Sequence, residues 1–129
     1  MTHRKYRNRK VTYKGQTFDS KKEAERYIYL QQLEKNGDIS DLRQQVKYVL
    51  ISAQYEPTGE YYTRGARKGE PKTKLVEREC SYIADFVYTK DGKTVVEDVK
   101  GYRDGGAYAL FKIKRKLMLY KYSIKVIEI

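Results

Sequence analysis

Hydrophobic and polar positions recur along this chain with two different periods, and the switches between them outline its elements. In "DSKKEAERYIYLQQLEKNG" (19–37), Glu23, Tyr27 and Leu30 recur at i, i+4 and i+7, the spacing of one helix face. Ser20 followed three residues later by Glu23 reads as a capping box, and Asn36-Gly37 as a stop signal. A second helix is predicted over "GGAYALFKIKRKLMLYKY" (105–122), with Leu110, Ile113, Leu117 and Tyr120 along its apolar stripe. Four segments read as strands: 45–53, 81–89, 94–101 and 123–129. "KVTYKGQTF" (10–18) alternates around a Lys-Gly turn and predicts a small hairpin. Residues 1–10 read as a basic arm. The segment 56–80, rich in Gly, Pro, Arg and Lys, reads as an exposed loop or extended hairpin. No repeat is visible. The order αβββαβ predicts one α+β (α/β) domain over 1–129, a mixed sheet flanked by helices.

Two middle strands meet at "KDGK", where Asp91-Gly92 is a strong signal for a two-residue type I′ turn. That turn fixes a register: Lys90 opposite Lys93, Thr89 opposite Thr94, Val87 opposite Val96 and Asp85 opposite Asp98. Alternation then puts Ile83, Asp85 and Val87 on one face, against Val96, Asp98 and Lys100. Opposed residues have Cβ atoms about 4.5–5.5 Å apart, and like charges so placed repel. A divalent cation is the economical way to hold two carboxylates there, since hard oxygen ligands suit magnesium or manganese. Lys100 falls roughly 6–7 Å along the same side, in reach of a water or a developing charge on phosphate. The bland alternative is a solvated sheet face whose lysine neutralises an acid. Glu97 points to the opposite face, beside Val95 and Val99. A one-residue slip would exchange Glu97 for Asp98. Glu23 shares its helix stripe with inward residues and is a candidate third acid, or else only the N3 residue of its capping box. Glu25 falls on the solvated face with Tyr29 and Gln32.

Composition narrows the chemistry further. The 129 residues carry a net charge of +11, which favours an anionic partner, with nucleic acid first and an anionic membrane surface second. With 40% apolar residues and 14 tyrosines the chain is too hydrophobic for a disordered basic tail. No apolar run is long enough to span a bilayer, and "MTHRKYRNRK" lacks the apolar core of a signal peptide, so a cytoplasmic protein is expected. One cysteine, Cys80, rules out an intramolecular disulfide and a cysteine-built zinc site. The single histidine is His3, so catalysis would fall to carboxylates and lysines.

Glu23, Asp85 and Asp98-Val99-Lys100, in the order helix–strand–strand, resemble the PD-(D/E)xK nuclease superfamily. "FDSKKEAERYIYLQQLE", "DLRQQVKYVL", "YIADFVY", "VVEDVKG" and "FKIKRKLMLYKY" together are similar to a family of small phage and prophage proteins catalogued as of unknown function. The likeness runs from Tyr6 to the end. The same order resembles the endonuclease subunit of heteromeric cut-and-paste transposases and, more loosely, archaeal Holliday-junction resolvases. The resemblance implies a restriction-endonuclease-like core and a catalytic set of Glu23, Asp85, Asp98, Lys100 and Gln45. Gln44 stays open as an alternative to Gln45, because the proline usual after that glutamine is Val46 here. The metal set so implied is Glu23, Asp85, Asp98 and Val99, with Mg2+ or Mn2+ as cofactor. Ala84 stands where the superfamily's proline would be.

The expected function is a metal-dependent DNA endonuclease, selective for branched or Holliday-junction-like DNA in phage replication or recombination and acting as a homodimer. The alternative is a non-catalytic DNA-binding or regulatory protein on the same scaffold. An RNA-binding protein would share the charge but leave the acids unexplained. Candidate DNA contacts are Arg64, Arg67, Lys68, Lys72 and Lys74 on the insertion, and Lys112, Lys114 and Lys116 beside Arg115 on the second helix.

Overall fold

Left-handed backbone at two short turns makes two of the hairpins. Lys14 and Gly15 (φ 48° and 78°) join β1 (Val11–Tyr13) to β2 (Gln16–Phe18), and Asp91 and Gly92 (φ 51° and 74°) join β6 (Cys80–Lys90) to β7 (Lys93–Asp98). Paired positive φ is what a type I′ turn demands, and it matches the right-handed twist of the strands. Between the hairpins lie helix α1 (Lys21–Lys35), β3 (Ser40–Ile51), β4 (Gln54–Tyr61) and β5 (Pro71–Glu77). Helix α2 (Gly105–Tyr122) and the two-residue strand β8 (Ile127–Glu128) complete the chain. The computed structural model describes residues 9–129. The expected basic arm, apart from its last two residues, and His3 lie outside the described residues.

The central sheet has the order β3-β6-β7-β8, antiparallel except for the parallel pair β7-β8. Neighbouring residues of β6 and β7 face opposite ways. Val87 and Val96 pack with Phe111 and Met118 of α2, whereas Phe86, Tyr88 and Val95 pack with Leu30 and Tyr27 of α1. The two helices therefore cover opposite faces, and the β6-β7 pair is apolar on both. This is the mixed α+β architecture the element order predicts, and it is compatible with a nuclease-like core. β4 and β5 form a separate two-stranded ribbon, so the 56–80 segment is an extended hairpin.

Three expectations are corrected. The buried stripe of α2 is Phe111 and Met118, with Tyr108 and Leu117 beside it, while Leu110, Ile113 and Tyr120 are exposed. The helix is rotated by about one position, because the ring of Phe111 fills the space beside Tyr82 that the smaller Leu110 would leave open. Next, Ile83 does not share the inner face with Val87. It is 53% exposed, and Tyr82 and Ala84 join Val87 in the α2-side core instead. A regular strand cannot put residues 84 and 87 on one face, so its alternation breaks between them. The opposed stretch of β3 breaks too: Leu42 packs on the α1 side and Val46 and Tyr48 on the α2 side, with Gln45 between them at φ 51°. Finally, β8 covers only Ile127–Glu128 of the expected 123–129, since the N–H groups of Ser123 and Ile124 donate to the last turn of α2. Ser123 there takes a left-handed cap, its N–H donating to the carbonyl of Leu119.

Candidate active site

The β6-β7 ladder follows the expected register from Lys90↔Lys93 to Phe86↔Glu97, and then the strands part. Where the next pair would stand, the Asp85 side chain takes over the ladder's role: Val99 N–H donates to Asp85 Oδ2 at 2.8 Å. Asp98, at the last position of β7, is buried. Its Oδ2 accepts from the Tyr82 hydroxyl at 2.6 Å, and its Oδ1 lies 2.9 Å from Lys100 Nζ. Lys100 lies with its ammonium 3.6 Å from the centroid of the Phe111 ring, so α2 holds it in place.

Glu23 enters from α1. Its N–H donates to Ser20 Oγ at 3.1 Å, which fixes the first turn, and its side chain is buried. Glu25 is exposed and pairs with Lys21. The amide of Gln45 links two of the acids, with Nε2 3.2 Å from Glu23 Oε1 and 3.2 Å from Asp85 Oδ1. The two glutamines part by position: Gln44 accepts from Gln16 Nε2 at 2.6 Å on the exposed surface. The left-handed backbone of Gln45 is the same irregularity that resets the faces of β3.

Burial, and then repulsion from Asp85, Asp19 and Asp98, pushes the Glu23 carboxyl up to about 7. Burial, outweighing the Val99 hydrogen bond, also raises Asp85 above the usual carboxylate range. Both shifts describe acids short of compensating positive charge. Carboxylate oxygens that repel one another suit a hard divalent ion in donor chemistry. The acids do not form a finished cage, however. Among the described residues, no three acids, histidines or cysteines are gathered so that they could hold a metal ion. The Gln45 amide, the Val99 N–H, the Tyr82 hydroxyl and the Lys100 ammonium satisfy their oxygens instead. Val99 contributes its N–H to Asp85, and its side chain packs in the α1-side core.

The chain belongs to the family described as "Protein of unknown function (DUF1064)", whose model matches residues 3–127. No curated protein and no solved structure matches it.

Several residues at the site were not legible beforehand. Tyr82 lies three positions before Asp85, on the wrong parity to reach Asp98 until the break in β6 turns it inward. Lys22 Nζ donates to the carbonyls of Lys100 and Ile129, each at 2.8 Å, tying α1 to the end of the sheet. Arg26, one turn after Glu23, forks onto Glu97 through two hydrogen bonds of 2.8 and 2.6 Å, and Tyr88 also donates to Glu97. Glu97 thus lies on the face opposite Asp98, as expected, and that face is the one α1 covers. Its neighbours Val95 and Val99 signalled that face. The partner on the helix left no signal in the sequence.

The basic residues divide. Arg67 is held by Glu70 and by the hydroxyl of Tyr62, Lys74 pairs with Glu56, and Lys72 lies over the Tyr62 ring. Arg64 and Lys68 stand exposed at the hairpin end. On α2, Lys114 lines the cleft with Asp98 and Lys100, Lys112 lies over the Tyr108 ring, and Lys116 is exposed. Among the described residues no helix is long and apolar enough to cross a membrane.

Proposed function

We propose that this protein is a divalent-metal-dependent DNA endonuclease, cutting branched or otherwise structured DNA as a homodimer in phage replication or recombination. The observation that carries the reading is the convergence of Glu23, Asp85 and Asp98 from three elements, two of them bridged by Gln45 and the third paired with Lys100. A structural ion pair needs one acid. Here Glu23 and Asp85 share one amide and both feel the repulsion of Asp98, in a protein of net charge +11, which has cations to spare.

In this reading Glu23, Asp85 and Asp98 would hold Mg2+ or Mn2+, which when bound supplies Lewis-acid stabilisation of charge on the phosphate. Gln45 orients the carboxylates of Glu23 and Asp85. Tyr82 fixes the rotamer of Asp98. Lys100, held on the Phe111 ring, is placed to hold a proton of the attacking water or to face the charged phosphate oxygens. Asp98 must release Lys100 Nζ for the lysine to act on substrate.

The test is cleavage of duplex, nicked, flap, four-way-junction and single-stranded DNA with magnesium, with manganese and with chelator. Cleavage should require the cation. It should fall to background in Asp98→Ala and Asp85→Ala, and by about 10²–10³-fold in Lys100→Ala, with DNA binding kept. Full cation-dependent cleavage by Asp98→Ala would sink the assignment. The second reading, a non-catalytic DNA-binding protein, draws on the Asp98–Lys100 pair and the absence of a ready cage among the described residues. It is favoured if no substrate is cut while DNA is still bound.

A further inference from the structure

Two departures from the apolar pattern of the sequence meet at one place. Leu110 and Ile113, expected in the core, are 52% and 55% exposed, and Ile83, expected on the inner face, is 53% exposed. Ile83 and Leu110 line a cleft of about 310 Å3 between β6 and α2. Asp98, Lys100 and Lys114 line it as well, Lys114 one turn after Leu110 on α2. Sites where a local pattern breaks without a gain in packing are where function is expected. Exposed apolar side chains beside a charged site mark a surface for a ligand with an apolar part.

We propose that this cleft seats one unpaired base of the DNA, against Leu110 and Ile83, while Lys114 faces the phosphate attached to it. The inference rests on the DNA reading above and deepens it, because it names the feature that makes a DNA structured. The cleft is near the small end of ligand pockets, so it suits a group of nucleotide size. The face of the Phe111 ring is taken by Lys100, so the apolar contact falls to the two aliphatic residues. An intact duplex presents phosphate and sugar outward and keeps its base faces stacked. It gives Ile83 and Leu110 nothing to cover. Only an unstacked base offers a flat apolar surface next to a negative charge. A second copy of this chain is disfavoured by charge. A two-fold contact through this face would bring Lys114 of one copy toward Lys114 of the other, in a chain that already carries a net charge of +11.

The experiment measures binding in EDTA, so that it does not depend on cleavage. The probe is a gapped duplex with three unpaired nucleotides, compared with the same duplex made abasic at each of the three positions in turn. Wild-type protein should bind the intact gap about tenfold more tightly than one of the abasic forms, the size of one base-stacking contact. The Ile83→Ser/Leu110→Ser double variant should bind all forms within twofold of one another and keep the wild-type melting temperature, since both side chains are half exposed. Equal binding of intact and abasic gaps by wild type overturns the proposal without reference to any variant. So does a double variant that keeps the preference, or one that keeps it while passing from dimer to monomer on size exclusion. A base preference together with no cleavage of any substrate supports the cleft and refutes the nuclease.

Discussion

Glu23 sits in the first turn of α1 with its carboxyl drawn up to about 7, first by burial and then by Asp85. The folded protein holds this proton more tightly than the unfolded chain, whose glutamate titrates at its ordinary 4.5. The resulting stability is complete below about pH 4.5 and is lost as the pH rises through about 7. Asp85, also raised, adds a contribution of the same sign. Urea midpoints of the protein in EDTA should therefore fall between pH 5 and pH 8. In Glu23→Gln, which keeps the size but removes the charge, the fall should be much shallower and the midpoint at pH 8 higher than wild type. Added magnesium at pH 8 should raise the wild-type midpoint more than that of Glu23→Gln, provided the acids bind it. A wild-type midpoint that climbs from pH 5 to pH 7 would show that Glu23 is not short of compensating charge. Gln45 has a different part: its left-handed backbone places one amide between two acids.

At the scale of elements, α1 and β7 are joined by an ion pair between the half-buried Arg26 and the buried Glu97, one turn from Glu23 and next to Asp98. Glu97 is 1% exposed and accepts from Arg26 and Tyr88. Arg26→Ala would leave that carboxylate buried without its cation, at a cost of about 3–5 kcal/mol. Replacing Arg26 and Glu97 together by methionine and leucine should recover most of it, because no charge is then left behind. If the single and double variants unfold at the same denaturant concentration, the pair is not what locks the helix to the strand. The phase of α2 is open to the same kind of check. Met118 is fully buried, so Met118→Ala should cost about 2–5 kcal/mol. Tyr120, on the expected stripe but 88% exposed, should tolerate alanine within about 0.5 kcal/mol.

Across the whole molecule, the central sheet and its two helices carry the core, and the β4-β5 ribbon stands apart from it in pairing. Every residue of β4 is exposed. Replacing residues 56–76 by a short turn should leave the melting temperature within a few degrees, since no core cluster loses a member. The same deletion should weaken DNA binding. Each phosphate contact contributes about 0.9 to the slope of log affinity against log salt. Arg64→Ala with Lys68→Ala, the two exposed cations at the hairpin end, should flatten that slope by about two units on duplex DNA if both touch phosphate. An unchanged slope would move the DNA contacts to α2.

The sequence by itself determined the local and near-local features: the Asp91-Gly92 type I′ turn, the Lys-Gly hairpin turn, both helices with the caps of the first, the β6-β7 register as far as Phe86 and Glu97, and the placing of Glu97 on the face opposite Asp98. Each depends on residues close together in the chain, where steric preference and period-two or period-3.6 alternation act directly. Three things were decided only by the tertiary structure. Alternation broke at Gln45 and Asp85, so Tyr82 came to Asp98 and Ile83 was turned out. The rotation of α2 was chosen by the ring of Phe111 among several apolar candidates on a helix rich in them. Arg26 found Glu97 across 71 positions of chain. These outcomes depend on which side chains fill a shared space once the sheet twists and the helices dock. A one-dimensional pattern holds the candidates for that competition, and the close packing of the interior picks among them.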